Sequence, residues 1–269
     1  MTLSALAANE RPAMAPTRST RRRTHPGLLR VLLATIVGMT LVASACSDDI
    51  DTPTADPIEQ SSSQTGAEEP AVASTDEGGI TSVDEDQLAA ELGALPDTTL
   101  AQTDADAVAF MREEEKLALD VYRALYDVWG LRMFDNIANA EQTHTESVRA
   151  LLIRHDLPDP ALDQPAGVFT NPDLQVLYDE LLARGSESLT EALLVGALIE
   201  DLDIADLQAR ASNDPAVALV FSNLERGSRN HLRAFIGQLD RRNATYTPAY
   251  ISQADFDAIV NSPTERGNH

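Results

Sequence analysis

Met111-Arg-Glu-Glu-Glu115-Lys-Leu-Ala118-Leu-Asp-Val-Tyr122-Arg-Ala-Leu125-Tyr-Asp-Val-Trp129-Gly130 is the stretch whose reading decides the fold. Met111, Glu115, Ala118, Tyr122, Leu125 and Trp129 recur at spacings of three and four, which places them on one face of an α-helix. No proline interrupts the run, and Gly130 stands where a helix would end. The face is apolar except at Glu115. A second face, Phe110, Glu114, Leu117 and Val121, is interrupted in the same way, so Glu113, Glu114 and Glu115 compete for the inward position.

Working outward, the same pattern returns three times. Long helices are predicted over 104–129, 135–154, 188–211 and 215–241. Ser188 with Glu191 makes a capping box for the third, and Asp214 with Pro215 starts the fourth. A short helix is expected over 172–183, between the second and third, and a last one over 253–261. Aromatic residues are 4% of the chain, which favours helix over sheet. The predicted fold is all-α: a four-helix bundle over 103–262 with one short inserted helix and a C-terminal helical extension.

Each long stripe is apolar except near its middle. The second carries Ile137, Glu141, His144, Val148 and Leu151; the third Leu193, Gly196, Glu200, Asp203 and Leu207; the fourth Phe221, Leu224, Ser228, His231 and Phe235. A buried carboxylate must be paired, hydrogen-bonded, protonated or bound to a metal. Four helices with polar residues at mid-length suggest that these residues meet in the core. Carboxylates with imidazole suit iron or manganese, and zinc less well. Glu141 and His144, at i and i+3, face the same way and can share one ion.

Glu115-x-x-Ala118-x-x-x-Tyr122 resembles the first-helix pattern of ferritins and rubrerythrins, and Glu141-x-x-His144 resembles their second-helix Glu-x-x-His. Glu200-Asp-Leu-Asp203 sits where the third helix supplies a carboxylate, and Ser228-Arg-Asn-His231 where the fourth carries Glu-x-x-His. The whole run over about 104–260 resembles one ferritin-like bacterial family, domain of unknown function 2202. The resemblance implies metal ligands at Glu115, Glu141, His144, Glu200 and His231, with Glu114 and Asp203 as weaker candidates. In a dinuclear iron or manganese site, Glu141 and Glu200 would bridge. Glu115 and His144 would complete one metal and His231 the other. Ser228 replaces a glutamate of the full pattern, which leaves a mononuclear site, or none, open. No Cys₄ electron-transfer module is present.

The first 45 residues read as an export signal. Arg18, Arg21, Arg22, Arg23 and Arg30 precede the apolar run 31–42, and Ala43-Ser-Ala45 leads to Cys46, the one cysteine. Small residues before a lone Cys resemble a bacterial lipobox, which implies cleavage before Cys46 and its acylation. An exported, lipid-anchored protein on the outer face of the cell membrane is expected; a secreted one is the alternative. Residues 46–102 are rich in Ser, Thr, Pro, Asp and Glu, and read as a disordered acidic tether. A short helix is expected within it, over 83–95. Six of the 20 basic and one of the 43 acidic residues precede Cys46, so the chain from there onward carries −28. Such a charge argues against nucleic acid as a partner and against anionic lipid as a docking surface. Metal ions and a lipid-mediated membrane link are the expected partners, and a homodimer is left open. The single lysine, Lys116, reads as codon bias.

Two functions of different class remain. One is a metal-binding domain, redox-active toward oxygen or peroxide. The other is a non-catalytic envelope module whose Glu/His network is structural and whose surface binds a partner. Metal sensing or storage is a third, weaker reading. Hydrolase chemistry has no support, because no Gly-x-Ser-x-Gly occurs.

Overall fold

The computed structural model describes residues 72–76 and 79–266. They form a two-stranded hairpin and seven helices: β1 (Ala73–Thr75), β2 (Thr81–Val83), α1 (Glu85–Ala94), α2 (Gln102–Trp129), α3 (Arg132–Arg154), α4 (Pro172–Gly185), α5 (Leu189–Ala209), α6 (Pro215–Asp240) and α7 (Gln253–Val260). The fold is all-α apart from that hairpin. No helix among the described residues is long and apolar enough to cross a membrane.

Local signals in the sequence explain the ends of these helices. Gly130 takes a left-handed φ of 62° and stops α2. The Ser188 hydroxyl accepts the Glu191 N–H at the start of α5. Asp214 accepts the N–H groups of Ala216 and Val217 at the start of α6, at 2.9 and 3.1 Å, with Pro215 in the first turn. α2 packs on α3 and α5, and α6 packs on the same two helices, so the four long helices close into a ring. Their inner faces make one side of the core, with Met111, Val148, Leu151, Val217, Val220 and Leu224 fully buried.

The structure corrects the tether. Residues 72–76 and 79–100, read from composition as disordered, lie ordered against the helices. β1 and β2 pair antiparallel with Ser74 opposite Ser82. Val72, Ala73, Val83, Leu88 and Leu92 join the same buried cluster as Val108 and Leu152. Leu88 and Leu92 are four apart and fall on one face of α1, which is enough to dock a ten-residue helix. Arg154 donates to the carbonyls of Leu92, Leu95 and Pro96 and caps α1 from outside. The domain also runs past 262, because Glu265 pairs with Arg229 and Arg233. Residues 1–71, including the signal segment, Cys46 and the first part of the tether, lie outside the described residues.

Two side-chain clamps fix the connections. Lys116 is buried, pairs with Asp120, donates to the carbonyls of Pro165 and Val168, and lies 4.6 Å from the centroid of the Phe169 ring. Glu113 accepts the N–H groups of Thr170 and Asn171, and Arg112 pairs with Asp159. The one lysine thus has a structural task, holding the α3–α4 loop on α2. On the other side Asp201, fully buried, accepts from the Tyr246 hydroxyl and from the N–H groups of Ala249, Tyr250 and Ile251.

The cap on α6 makes stability depend on pH. Burial works against the charge of Asp214. The Thr98 hydroxyl, the two backbone donors and His155 outweigh it and hold the carboxyl below its usual range. A carboxyl with a lowered folded pKa stabilises above its unfolded pKa and stops doing so as pH falls through the folded value. Asp214→Ala is expected to cost about 1 kcal/mol at pH 7. In urea titrations the gap from wild type should narrow below about pH 4.

Candidate metal centre

Five of the polar residues that interrupt the stripes meet in one place. Glu115 comes from α2, Glu141 and His144 from α3, Glu200 from α5 and His231 from α6, and each is at most 2% exposed. Glu141 lies between the two imidazoles. Its Oε2 is 2.8 Å from His144 Nδ1 and its Oε1 is 2.8 Å from His231 Nδ1. The rings stack with centroids 5.4 Å apart. Ligand atoms of Glu141, His144 and His231 all fall within 4.8 Å of one another, so this group could hold a metal ion. Glu115 Oε2 stands 3.6 Å from His144 Nδ1, and Glu200 Oε2 stands 3.7 Å from His231 Nδ1.

Glu141 and Glu200 stand differently toward the two rings. Glu200 does not sit between the imidazoles; it lies on the His231 side, and its Oε1 accepts the Tyr122 hydroxyl at 2.6 Å. Glu141 alone spans both rings. Tyr122 also reaches the Gly196 carbonyl and packs against Phe235, so it joins the centre to the aromatic layer beside it. Glu114 and Asp203, the weaker candidates, stand apart from the imidazoles. Asp203 accepts the Ser228 hydroxyl, so an acid from α5 faces Ser228 on α6.

Charge in the centre is unbalanced by burial. Burial pushes the Glu115 carboxyl up to about 7, with His144 pulling it down. Burial and Glu141 push Glu200 up. Burial opposes the charge of Glu141 too, but His144 and His231 hold it below the usual carboxylate range. Burial lowers His231, yet Glu141 and Glu200 carry it to about 9; Glu141 and Glu115 likewise raise His144. Without a cation, the carboxylates keep both imidazoles protonated. A divalent cation at the same atoms would supply that charge instead.

A closed hydrogen-bond network would leave few buried atoms unmatched. Here Glu115 Oε1 and His144 Nε2 have no hydrogen-bond partner among the described residues. The 2.8 Å approach of His231 Nδ1 to Glu141 lies off the ring N–H direction and is not a formed hydrogen bond. The donor set therefore fits an ion better than it fits its own protons.

Two further contacts shape the centre. The Thr81 N–H, from β2, points at His231 Nε2 at 3.4 Å, and Asn230 holds the Thr81 hydroxyl at 2.7 Å. Nothing in residues 72–83 announces this, since it depends on a long-range pairing. The second is Gly227. A Cβ there would stand 2.5 Å from His144 Cε1 and 2.7 Å from Nε2. Its place in mid-helix was the signal, because glycine lowers helix stability unless space demands it.

Fold and site together define an all-α domain with a buried carboxylate–imidazole cluster able to hold a metal. The chain belongs to the family of uncharacterized protein domains DUF2202, whose model matches residues 104–263. It is 44% identical over 178 residues to the uncharacterized protein MJ0754 of Methanocaldococcus jannaschii, covering 65% of this chain and 96% of the relative. The crystal structure of hypothetical protein MJ0754 from Methanococcus jannaschii DSM 2661 is similar to this fold, with a TM-score of 0.63 over 64% of this chain and 99% of that one.

The two α6 glycines should respond in opposite directions. Gly227→Ala collides with His144 and is expected to lose about 1–3 kcal/mol through overpacking. At Gly237 an added Cβ meets nothing within 4 Å. Gly237→Ala should gain up to about 1 kcal/mol from helix propensity. Chemical denaturation of the two variants beside wild type reads both effects.

Proposed function

We propose that this chain is an exported, lipid-anchored, ferritin-like protein that binds iron or manganese at a centre built from Glu115, Glu141, His144, Glu200 and His231. The observation that carries the reading is the convergence of two buried Nδ1 atoms on Glu141, with Glu115 and Glu200 flanking. Export and anchoring are supported by the arginine-rich start, the apolar run 31–42 and Ala43-Ser-Ala45-Cys46.

A bound iron or manganese pair would supply one-electron redox chemistry toward oxygen or peroxide. The chain's own part is to hold and shield. Glu115 and His144 would hold one ion, Glu200 and His231 the other, and Glu141 both. Tyr122 orients Glu200 through its hydroxyl. The full burial of Tyr122, Phe134 and Phe235 keeps water from the side of the centre that Glu200 faces. Ser228 contributes a hydroxyl already committed to Asp203.

One contact favours a second reading with a single ion. If the Thr81 N–H donates to His231 Nε2, neutral His231 carries its proton on Nδ1, which then has no lone pair for a metal. Glu115, Glu141 and His144 would then hold one ion, with His231 beside it.

Elemental analysis of the purified full chain, grown with iron and manganese supplied, separates these outcomes. Two equivalents, lost in Glu141→Ala, support the pair. One equivalent that survives His231→Gln supports the single ion. Chelation should lower the melting temperature of the loaded protein, because binding stabilises the folded state. A well-folded protein with no metal and a chelator-insensitive melt would leave the structural-network reading in possession.

A further inference from the structure

Several carboxylate oxygens outside the imidazole pair have no hydrogen-bond partner among the described residues. They are both oxygens of Glu114, Oδ1 of Asp203 and Oδ2 of Asp206. Glu114 is 3% exposed and Asp203 6% exposed, so neither is satisfied by bulk water. Asp206 is half-buried, and its other oxygen is held by Arg210.

These residues lie in a row. Glu200, Asp203 and Asp206 are spaced by three on α5, each about 4.5 Å further along the axis and turned about 60° from the one before, so they wind from the centre toward the helix edge. Glu114 is the chain neighbour of Glu115 on α2, which packs on α5. Glu114 lies against Asp206 and Arg210. Asp203 lies among Glu115, Glu114 and Glu200. The row begins at the partly exposed Asp206, passes Glu114 and Asp203, and ends at Glu115 beside His144.

Apolar side chains at 114 and 203 would suit a helix interface and avoid burying unpaired acids. The Ser228 hydroxyl accounts for one oxygen of Asp203. The Asp206 carboxyl is the neighbour that Glu114 meets, and two acids can face each other there only by sharing a proton or a cation. Carboxyls set along a low-dielectric wall can take up a cation in exchange for their protons. Oxygen-only ligands suit hard divalent cations.

We propose that Glu114, Asp203 and Asp206 form a staging site for a divalent cation, through which ions pass from the surface at Asp206 to Glu115 and the imidazole centre. This rests on the metal reading of that centre. Arg210, stacked over the Phe110 ring 3.9 Å away, is the counter-charge at the entrance. An entering ion competes with it for Asp206.

The test is the rate at which the metal-stripped full chain takes up Co²⁺, followed by stopped-flow through the visible absorption of the filled centre. Asp206→Asn should slow loading about tenfold or more, with the final stoichiometry and spectrum unchanged. Arg210→Gln should speed loading severalfold, and it guards against misfolding of the first variant because its effect has the opposite sign. Wild-type rates in both variants, in a protein that fills normally, overturn the staging site and leave the centre standing. A lowered final stoichiometry in Asp206→Asn would put Asp206 in the centre itself and also overturn it. A wild-type chain that binds no Co²⁺ removes the centre and the staging site together.

Discussion

Glu141 carries one carboxylate to two buried imidazoles, and most of the molecule follows from the need to make that tolerable. A carboxylate without water must find positive charge, and two imidazoles at contact distance supply it only by holding protons or by sharing a cation. The helices are shaped around this demand. Gly227 gives up a side chain so that α6 can lie against His144, and Gly196 gives up one so that Phe235 can lie against α5. Tyr122 spends its hydroxyl on Glu200, and Ser228 spends its own on Asp203.

Such a centre needs a stiff frame, since ligand groups misplaced by a fraction of an ångström bind poorly. α2 meets this need from two sides. Its inner face carries Glu115 and Tyr122, while Arg112, Glu113, Lys116 and Asp120 hold the α3–α4 loop against it. Asp201 does the same for α5, holding the segment 246–251 while its neighbour Glu200 faces inward. In both helices, adjacent residues divide the work between centre and scaffold.

The helices and the identity of the central residues were legible because both depend on local spacing. Met111, Glu115, Ala118 and Tyr122 on one face, and Glu141 with His144 on another, need nothing beyond a period of 3.6 to be found. What spacing cannot show is which partner a side chain meets. That Glu200 takes the Tyr122 hydroxyl and stands on the His231 side is such a contact. The ordered part of the supposed tether was hidden for a different reason. Its six buried apolar residues are few and diluted by acids, and they become a core only when the long helices offer a surface. Lys116 shows the limit of composition: a count of one says nothing about a residue that holds a loop.

The family match begins at residue 104, whereas the strand that covers His231 lies at 81–83. The two definitions of the domain part company over its most sensitive atom. A fragment cut at 104 keeps every residue of the centre and loses the roof over one of them, so water would gain access to an imidazole that the intact chain keeps dry. The match to the archaeal protein spans more of this chain than the stretch from 104 to the C-terminus and so takes in residues before it. The cover shares one buried cluster with the bundle, and in the order of the chain it stands between Cys46 and the first residue of the family match.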